Sequence, residues 1–229
     1  MRAKMILAVS AALLSALIPL SASAVKEDEA MGVVGDANKR VALTFDDGPH
    51  STYTPEILDI LSEYNVRATF FVVGENVRSN PELIKREIEE GHEIGNHTFT
   101  HPCALAKLSC DRLIAEMSDC EDAIFETVDF RPHLFRPPGG ANTCAVKKAC
   151  AELDYTEVLW TIDTMDWNEK TSLGSAVKAV RDNVKDGSII LFHDYVGRKQ
   201  PITAQALRIL LPELISQGYE FVYAEDLLG

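Results

Sequence analysis

The sequence has 229 residues, of which 46% are hydrophobic and 25% charged, and its formal net charge is −13 at pH 7. These fractions suit a globular protein and exclude a disordered polyampholyte, a collagen-like fibre and a polytopic membrane protein. The excess of 35 acidic over 22 basic residues argues against a polyanion-binding surface, so neither nucleic acid nor an anionic membrane is an expected partner.

Residues 1–24 differ from the rest. Arg2 and Lys4 precede an apolar run over 5–20, followed by Ser21-Ala22-Ser23-Ala24. That order of charged region, apolar region and A-x-A site predicts a secretory signal peptide cleaved after Ala24. The alternative, a membrane anchor, fits less well, because a run of about 16 residues is short for a span. A polar leader, 25–39, comes next, and the protein is expected to be secreted or periplasmic with no membrane span after cleavage. The five cysteines, Cys103, Cys110, Cys120, Cys144 and Cys150, then lie in an oxidising compartment, where at least one disulfide is expected and one thiol must be left over.

From residue 40 onward, strand-like and helix-like segments alternate. Strands are expected over 40–45, 67–73, 92–96, 133–136, 156–162, 188–193 and 219–223. Helices are expected over 54–64, 80–90, 109–128, 142–153, 172–185 and 202–217. Ile57, Leu58 and Leu61 show helical spacing in the first helix. Pro81 opens the second and Gly91 follows it. Asn142 is the expected N-cap of the fourth, and Pro212 is expected to interrupt the last. Seven strands alternating with helices, without a break in composition, predict a single α/β domain over 40–229 with a parallel sheet. The sheet could be open or closed; about 190 residues is short for an eightfold barrel of about 250, so a barrel of fewer units would fit.

Five polar clusters fall at the C-terminal ends of five different strands. Thr44-Phe45-Asp46-Asp47-Gly48-Pro49 offers two neighbouring carboxylates that point in different directions, where a plain turn needs one. Asn96-His97-Thr98-Phe99-Thr100-His101 offers two histidines four apart, a spacing that can converge on a metal. Phe135-Arg136-Pro137-Pro138-Gly139-Gly140 offers a stiffened loop, two residues without side chains and an arginine able to clamp a carboxylate. Asp163-Thr164-Met165-Asp166-Trp167 sets a tryptophan beside acids, as in a sugar site. Leu191-Phe192-His193 ends a buried strand in an acid/base candidate. Each cluster alone has a bland reading: an Asp-Gly turn, a chance pair, a surface arginine, a helix N-terminus, a core histidine. Together they favour convergence on the mouth of a barrel and metal-assisted hydrolysis.

TFDDGP, HTFTH, FRPPG, DTMDW and LFH, in that order, resemble the five motifs of the polysaccharide deacetylases, the NodB-homology group of carbohydrate esterase family four. The resemblance covers about 40–225. It implies a distorted (β/α)7 barrel and removal of acetyl groups from an N-acetylated glycan of chitin-oligosaccharide or peptidoglycan type, with one divalent metal ion, Zn2+ by preference. Carried over by position, it implies that Asp47, His97 and His101 bind the metal. Asp46 would be the general base toward the attacking water, and Arg136 would pair with it. The Gly139 N–H would donate to the developing oxyanion. Asp163 would orient His193, the general acid for the departing amine, while Leu191 and Trp167 would line the acetyl-methyl pocket. The family usually has Tyr where this chain has Gly139, which leaves substrate preference open. An O-acetyl xylan esterase and a catalytically silent carbohydrate-binding relative are the alternatives, and a monomer is expected.

Overall fold

A computed structural model describes residues 39–195, 197 and 201–228. The leader expected over 1–24 and nearly all of the polar segment 25–39 lie outside these residues. Eight strands form one parallel sheet: β1 (Lys39–Asp46), β2 (Thr69–Val72), β3 (Glu93–Asn96), β4 (Leu134–Phe135), β5 (Thr156–Glu157), β6 (Ile162–Asp163), β7 (Ser188–His193) and β8 (Tyr219–Phe221). Around it lie α1 (Tyr53–Glu63), α2 (Gly74–Ser79), α3 (Pro81–Glu89), α4 (Cys110–Val128), α5 (Cys144–Leu153), α6 (Leu173–Asn183) and α7 (Thr203–Ser216). Strand order is β5-β4-β3-β2-β1-β7-β6, and β8 also pairs with the start of β1.

The alternation of side chains along each strand determines which groups can meet. Leu43 and Phe45 of β1, Phe70 and Val72 of β2, and Ile190 and Phe192 of β7 share one buried cluster with apolar residues of α1 and α7. The other face carries Ala42, Phe71, Leu134, Val158 and Ile189, a small cluster inside the barrel. Continuing the inward series toward the strand ends brings Thr44 and Asp46 beside Leu191 and His193, their register partners on β7. Inward positions are apolar at depth and ionisable at the mouth.

The expected distorted (β/α)7 barrel is present, and its distortion lies in the fifth strand. The single strand expected over 156–162 is two short ones: β5 pairs with β4, and β6 pairs with β7, at opposite ends of the strand order. The chain itself crosses the seam. The seam carbonyls of Val158 and Leu159 accept hydrogen bonds from Arg136 Nε (3.1 Å) and Nη2 (3.3 Å). A buried guanidinium therefore supplies donors that a closing strand would have provided.

Local departures from the sequence reading have local causes. Thr143, not Asn142, caps α5, its hydroxyl accepting from Val146 N at 3.2 Å. The last helix runs unbroken through Pro212, with buried Leu210, Leu211 and Leu214 holding both sides of it. The short α2 was not anticipated; its sequence, GENVRS, has one apolar anchor, Val77, and no periodicity to read. The expected disulfide is absent: all five cysteines are free. Cys120 packs in the large cluster and donates to Val72 O, Cys150 packs in another, and Cys103 and Cys144 are exposed.

Candidate active site

Asp46, Asp47, His97, His101, Gly139, Asp163, Trp167, Leu191 and His193 line one cavity of about 360 Å3 at the C-terminal end of the barrel, together with Trp160. Arg136, fully buried, reaches it through Asp46. All ten residues expected from the sequence thus meet at one mouth.

The two neighbouring carboxylates point to different partners. Asp46 ends β1 in regular strand geometry, and its Oδ1 accepts from Arg136 Nη1 at 2.8 Å. The same Nη1 donates to Thr44 Oγ1 at 2.7 Å, and the guanidinium lies 4.0 Å from the Phe71 ring centroid. Asp46 is thus tied to a cation whose three nitrogens all donate, to Val158 O, Thr44 Oγ1 and Leu159 O besides Asp46 itself. Asp47 leaves the strand with φ +78°, which swings its carboxylate toward the histidines. Gly48 follows because a Cβ there would meet the Asp194 carboxylate at 1.9 Å.

Asp47 Oδ1 lies 3.3 Å from His97 Nε2 and 3.2 Å from His101 Nε2. The three residues offer donor atoms all within 4.8 Å of one another. Asp47 Oδ1 is buried and has no hydrogen-bond partner, the state of an acceptor aimed at a cation. His97 Nδ1 is 2.7 Å from the Arg136 carbonyl; a carbonyl only accepts, so Nδ1 carries the proton and Nε2 presents a lone pair. Burial pushes the Asp47 carboxyl pKa up, but the adjoining His97, His193 and His101 outweigh it, so the group sits below its ordinary value. One carboxylate and two imidazoles form a donor set suited to a divalent metal with open positions.

A network holds the histidine loop. Asn96 Oδ1 accepts from Thr98 N (2.9 Å), Thr98 Oγ1 from His101 N (3.2 Å), and buried Glu116 of α4 from Thr100 N (2.9 Å). Thr98 and His101 both have left-handed backbones, at φ +71° and +50°. Sequence reasoning missed Glu116, which stands in an ordinary helical heptad.

The partner of His193 differs from the expected one. Asp166, not Asp163, holds it: Asp166 Oδ1 is 2.7 Å from His193 Nδ1, and Oδ2 accepts from His193 N at 2.9 Å and from Thr203 Oγ1 at 2.6 Å. Asp163 instead accepts from Met165 N at 2.7 Å. That turn, with Met165 at φ +55°, brings Asp166 back beneath the imidazole. Both acids stand in one motif, and only the turn decides between them. Burial would lower the His193 pKa; the Asp166 hydrogen bond and charge, aided by Asp46 and Asp47, reverse this and raise it to about 9. The imidazole is therefore protonated at neutral pH, with Nε2–H left to meet a substrate.

Gly139 lies in a tight turn, Pro138–Gly140, at φ +64°, and a Cβ built on it would touch nothing within 4 Å. The absent side chain leaves this rim open, although any L residue would be strained there. Trp167 is 47% exposed, a large aromatic at the edge of the cavity.

Residues 34–158 match the polysaccharide deacetylase family model. The chain is 42% identical over 192 residues to the peptidoglycan-N-acetylglucosamine deacetylase PgdA of Listeria monocytogenes, a match covering 84% of this chain but 39% of that protein. It is 44% identical over 197 residues to a peptidoglycan-N-acetylglucosamine deacetylase of Bacillus cereus, covering 85% of this chain and 91% of that one. Among solved structures, a family 4 acetyl xylan esterase from Clostridium thermocellum in complex with a cobalt ion superposes with a TM-score of 0.77 at 38% identity, over 82% of this chain and 90% of the other. The chain belongs to the polysaccharide deacetylase family.

Proposed function

We propose that the protein is a metal-dependent hydrolase that removes acetyl groups from an N-acetylated glycan of chitin-oligosaccharide or peptidoglycan type. The observation that carries this reading is the pair of proton-handling groups flanking the Asp47, His97 and His101 donors: Asp46 braced by Arg136, and His193 braced by Asp166. A binding module has no use for two such groups. The donor set suits Zn2+, and a divalent cation held there would polarise the acetyl carbonyl and acidify water. Asp46 takes the proton from the attacking water, and Arg136 keeps its carboxylate turned toward the mouth. His193 Nε2–H protonates the departing amine, which is too basic to leave unprotonated. Gly139 offers its N–H toward the acetyl oxygen, while Leu191 and Trp167 wall the methyl group. Export, supported by the pattern of residues 1–24, would bring the protein to such glycans, where it acts as a monomer.

The second reading, an O-acetyl xylan esterase, is favoured by the likeness to the cobalt-bound esterase. Acetate release from N-acetylated oligosaccharides and from acetylated xylan, each with and without a chelator, tests both. The proposal expects release from the N-acetylated glycan, loss on chelation and recovery with zinc. Release from xylan alone selects the esterase, release indifferent to chelation removes the metal, and no release from either leaves a binding relative.

A further inference from the structure

His193 is only as well placed as the carboxylate that holds it. Asp166 is fully buried and gives both its oxygens to that one residue: Oδ1 to the ring Nδ1 at 2.7 Å, and Oδ2 to the backbone N–H at 2.9 Å. These two contacts fix the imidazole relative to the carboxylate. They do not fix the carboxylate relative to the barrel.

Thr203 supplies a contact from a different element. Its Oγ1 donates to Asp166 Oδ2 at 2.6 Å, and the residue is 3% exposed. A carboxylate oxygen has lone pairs for two donors, so Oδ2 can accept from Thr203 and from His193 N together. A hydroxyl bonded to an ionised carboxylate at this distance belongs to the stronger class of hydrogen bond. Thr203 opens α7, whose Ala206, Leu207, Leu210 and Leu211 lie in the large buried cluster with residues of α1. The hydroxyl therefore passes the fixed position of a 14-residue helix to the carboxylate.

Behind His193, between α1 and the first turn of α7, lies a cavity of about 110 Å3, room for a few waters. His193 and Thr203 belong to its wall, and Asp166 does not. On this side the carboxylate meets a hydroxyl anchored to a helix; a water in its place would bring no such anchor.

We propose that Thr203 is a positioning residue for the deacetylation reaction, its hydroxyl locking the Asp166 carboxylate and, through it, the aim of His193 Nε2–H at the barrel mouth. This rests on the glycan-deacetylase reading, in which that proton goes to the departing amine as the C–N bond breaks. It adds the residue that ties the acid to the fold.

The test compares kcat on an N-acetylglucosamine oligosaccharide with kcat on an aryl acetate, whose leaving group departs without a proton. Both are measured with zinc supplied. Thr203→Val keeps the branched shape and removes the hydroxyl. It should lower kcat on the amide about tenfold with KM unchanged, part of the 10²–10⁴ that a positioned acid supplies. On the aryl acetate the loss should be about twofold or less, which also shows that the variant is folded. Thr203→Ser, which returns the hydroxyl to the same helix, should recover most of the amide activity. Equal losses on both substrates overturn the positioning role, because they mark a general structural effect. So does a Thr203→Val enzyme as fast as the parent on the amide, or a Thr203→Ser enzyme as slow as Thr203→Val. A parent enzyme that releases acetate from the aryl ester and from no N-acetylated oligosaccharide overturns the glycan reading itself, and the positioning role with it.

Discussion

Asp46 and His193 stand on adjacent strands in register, whereas Asp47 and His101 hang from loops with left-handed backbones. The first pair is set by the sheet: Asp46 N–H and C=O belong to a ladder between β2 and β7, and its side chain is clamped by a buried arginine that also ties down the barrel seam. The second pair is set by hydrogen bonds with side chains: Asn76 Nδ2 donates to the Asp47 carbonyl, His101 N donates to Thr98 Oγ1, and Thr100 N donates to the Glu116 carboxylate. A non-glycine residue in the left-handed region costs about 1–3 kcal/mol and persists only where its surroundings impose it. The rigid frame thus holds the groups proposed to move protons, and the braced loops hold the donor groups proposed for the metal. His97 bridges the two regions, since its N–H extends the ladder to Val72 O while its Nδ1–H meets the Arg136 carbonyl.

This division predicts separable damage. On the proton side, Asp166→Asn removes the charge that raises the His193 pKa. With the hydrogen bond and charge of Asp166 weakened, the raising influence left from Asp46 and Asp47 is smaller and burial opposes it, so the imidazole loses its proton at a lower pH. kcat on an N-acetyl sugar should fall by about 10² at neutral pH, and the alkaline limb of its pH profile should move down from near pH 9. Asp163→Asn can still accept from Met165 N and should leave that limb in place. If Asp163→Asn moves the limb and Asp166→Asn does not, the assignment of the two acids is reversed.

On the metal side, the effect is smaller and of another kind. Glu116→Ala leaves Thr100 N without its acceptor and loosens the turn carrying His101. Zinc affinity, measured by competition with a chelator, should fall about tenfold, and activity should return at high zinc. An unchanged affinity would mean that the loop is held without Glu116.

What the sequence disclosed follows the same line. Asp46, Arg136 and His193 were legible as polar residues in clusters at the C-terminal ends of expected strands, and the motif resemblance supplied their roles and that of Leu191. The Asp166 contact was not, because it depends on the turn at Met165, and nothing in DTMDW says which acid that turn brings back. The seam in the fifth strand was hidden for a related reason: residues 156–162 are uniformly β-prone, and what splits them is Arg136, more than twenty positions earlier, bonding the carbonyls between the halves. Cysteine count likewise predicted a bridge that burial in separate clusters does not allow for Cys120 and Cys150.

The most direct test compares Asp46→Asn and Asp47→Asn for metal content and acetate release side by side. Asp46→Asn keeps all three metal donors but loses the proton acceptor and the Arg136 ion pair. It should bind one zinc per chain and lose about 10²–10⁴ in kcat, with no rescue by added metal. Asp47→Asn replaces the anionic donor with a neutral one; it should lose zinc on dialysis and recover part of its activity as zinc is raised. Loss of zinc from Asp46→Asn with retention by Asp47→Asn would contradict the division of labour between strand and loop.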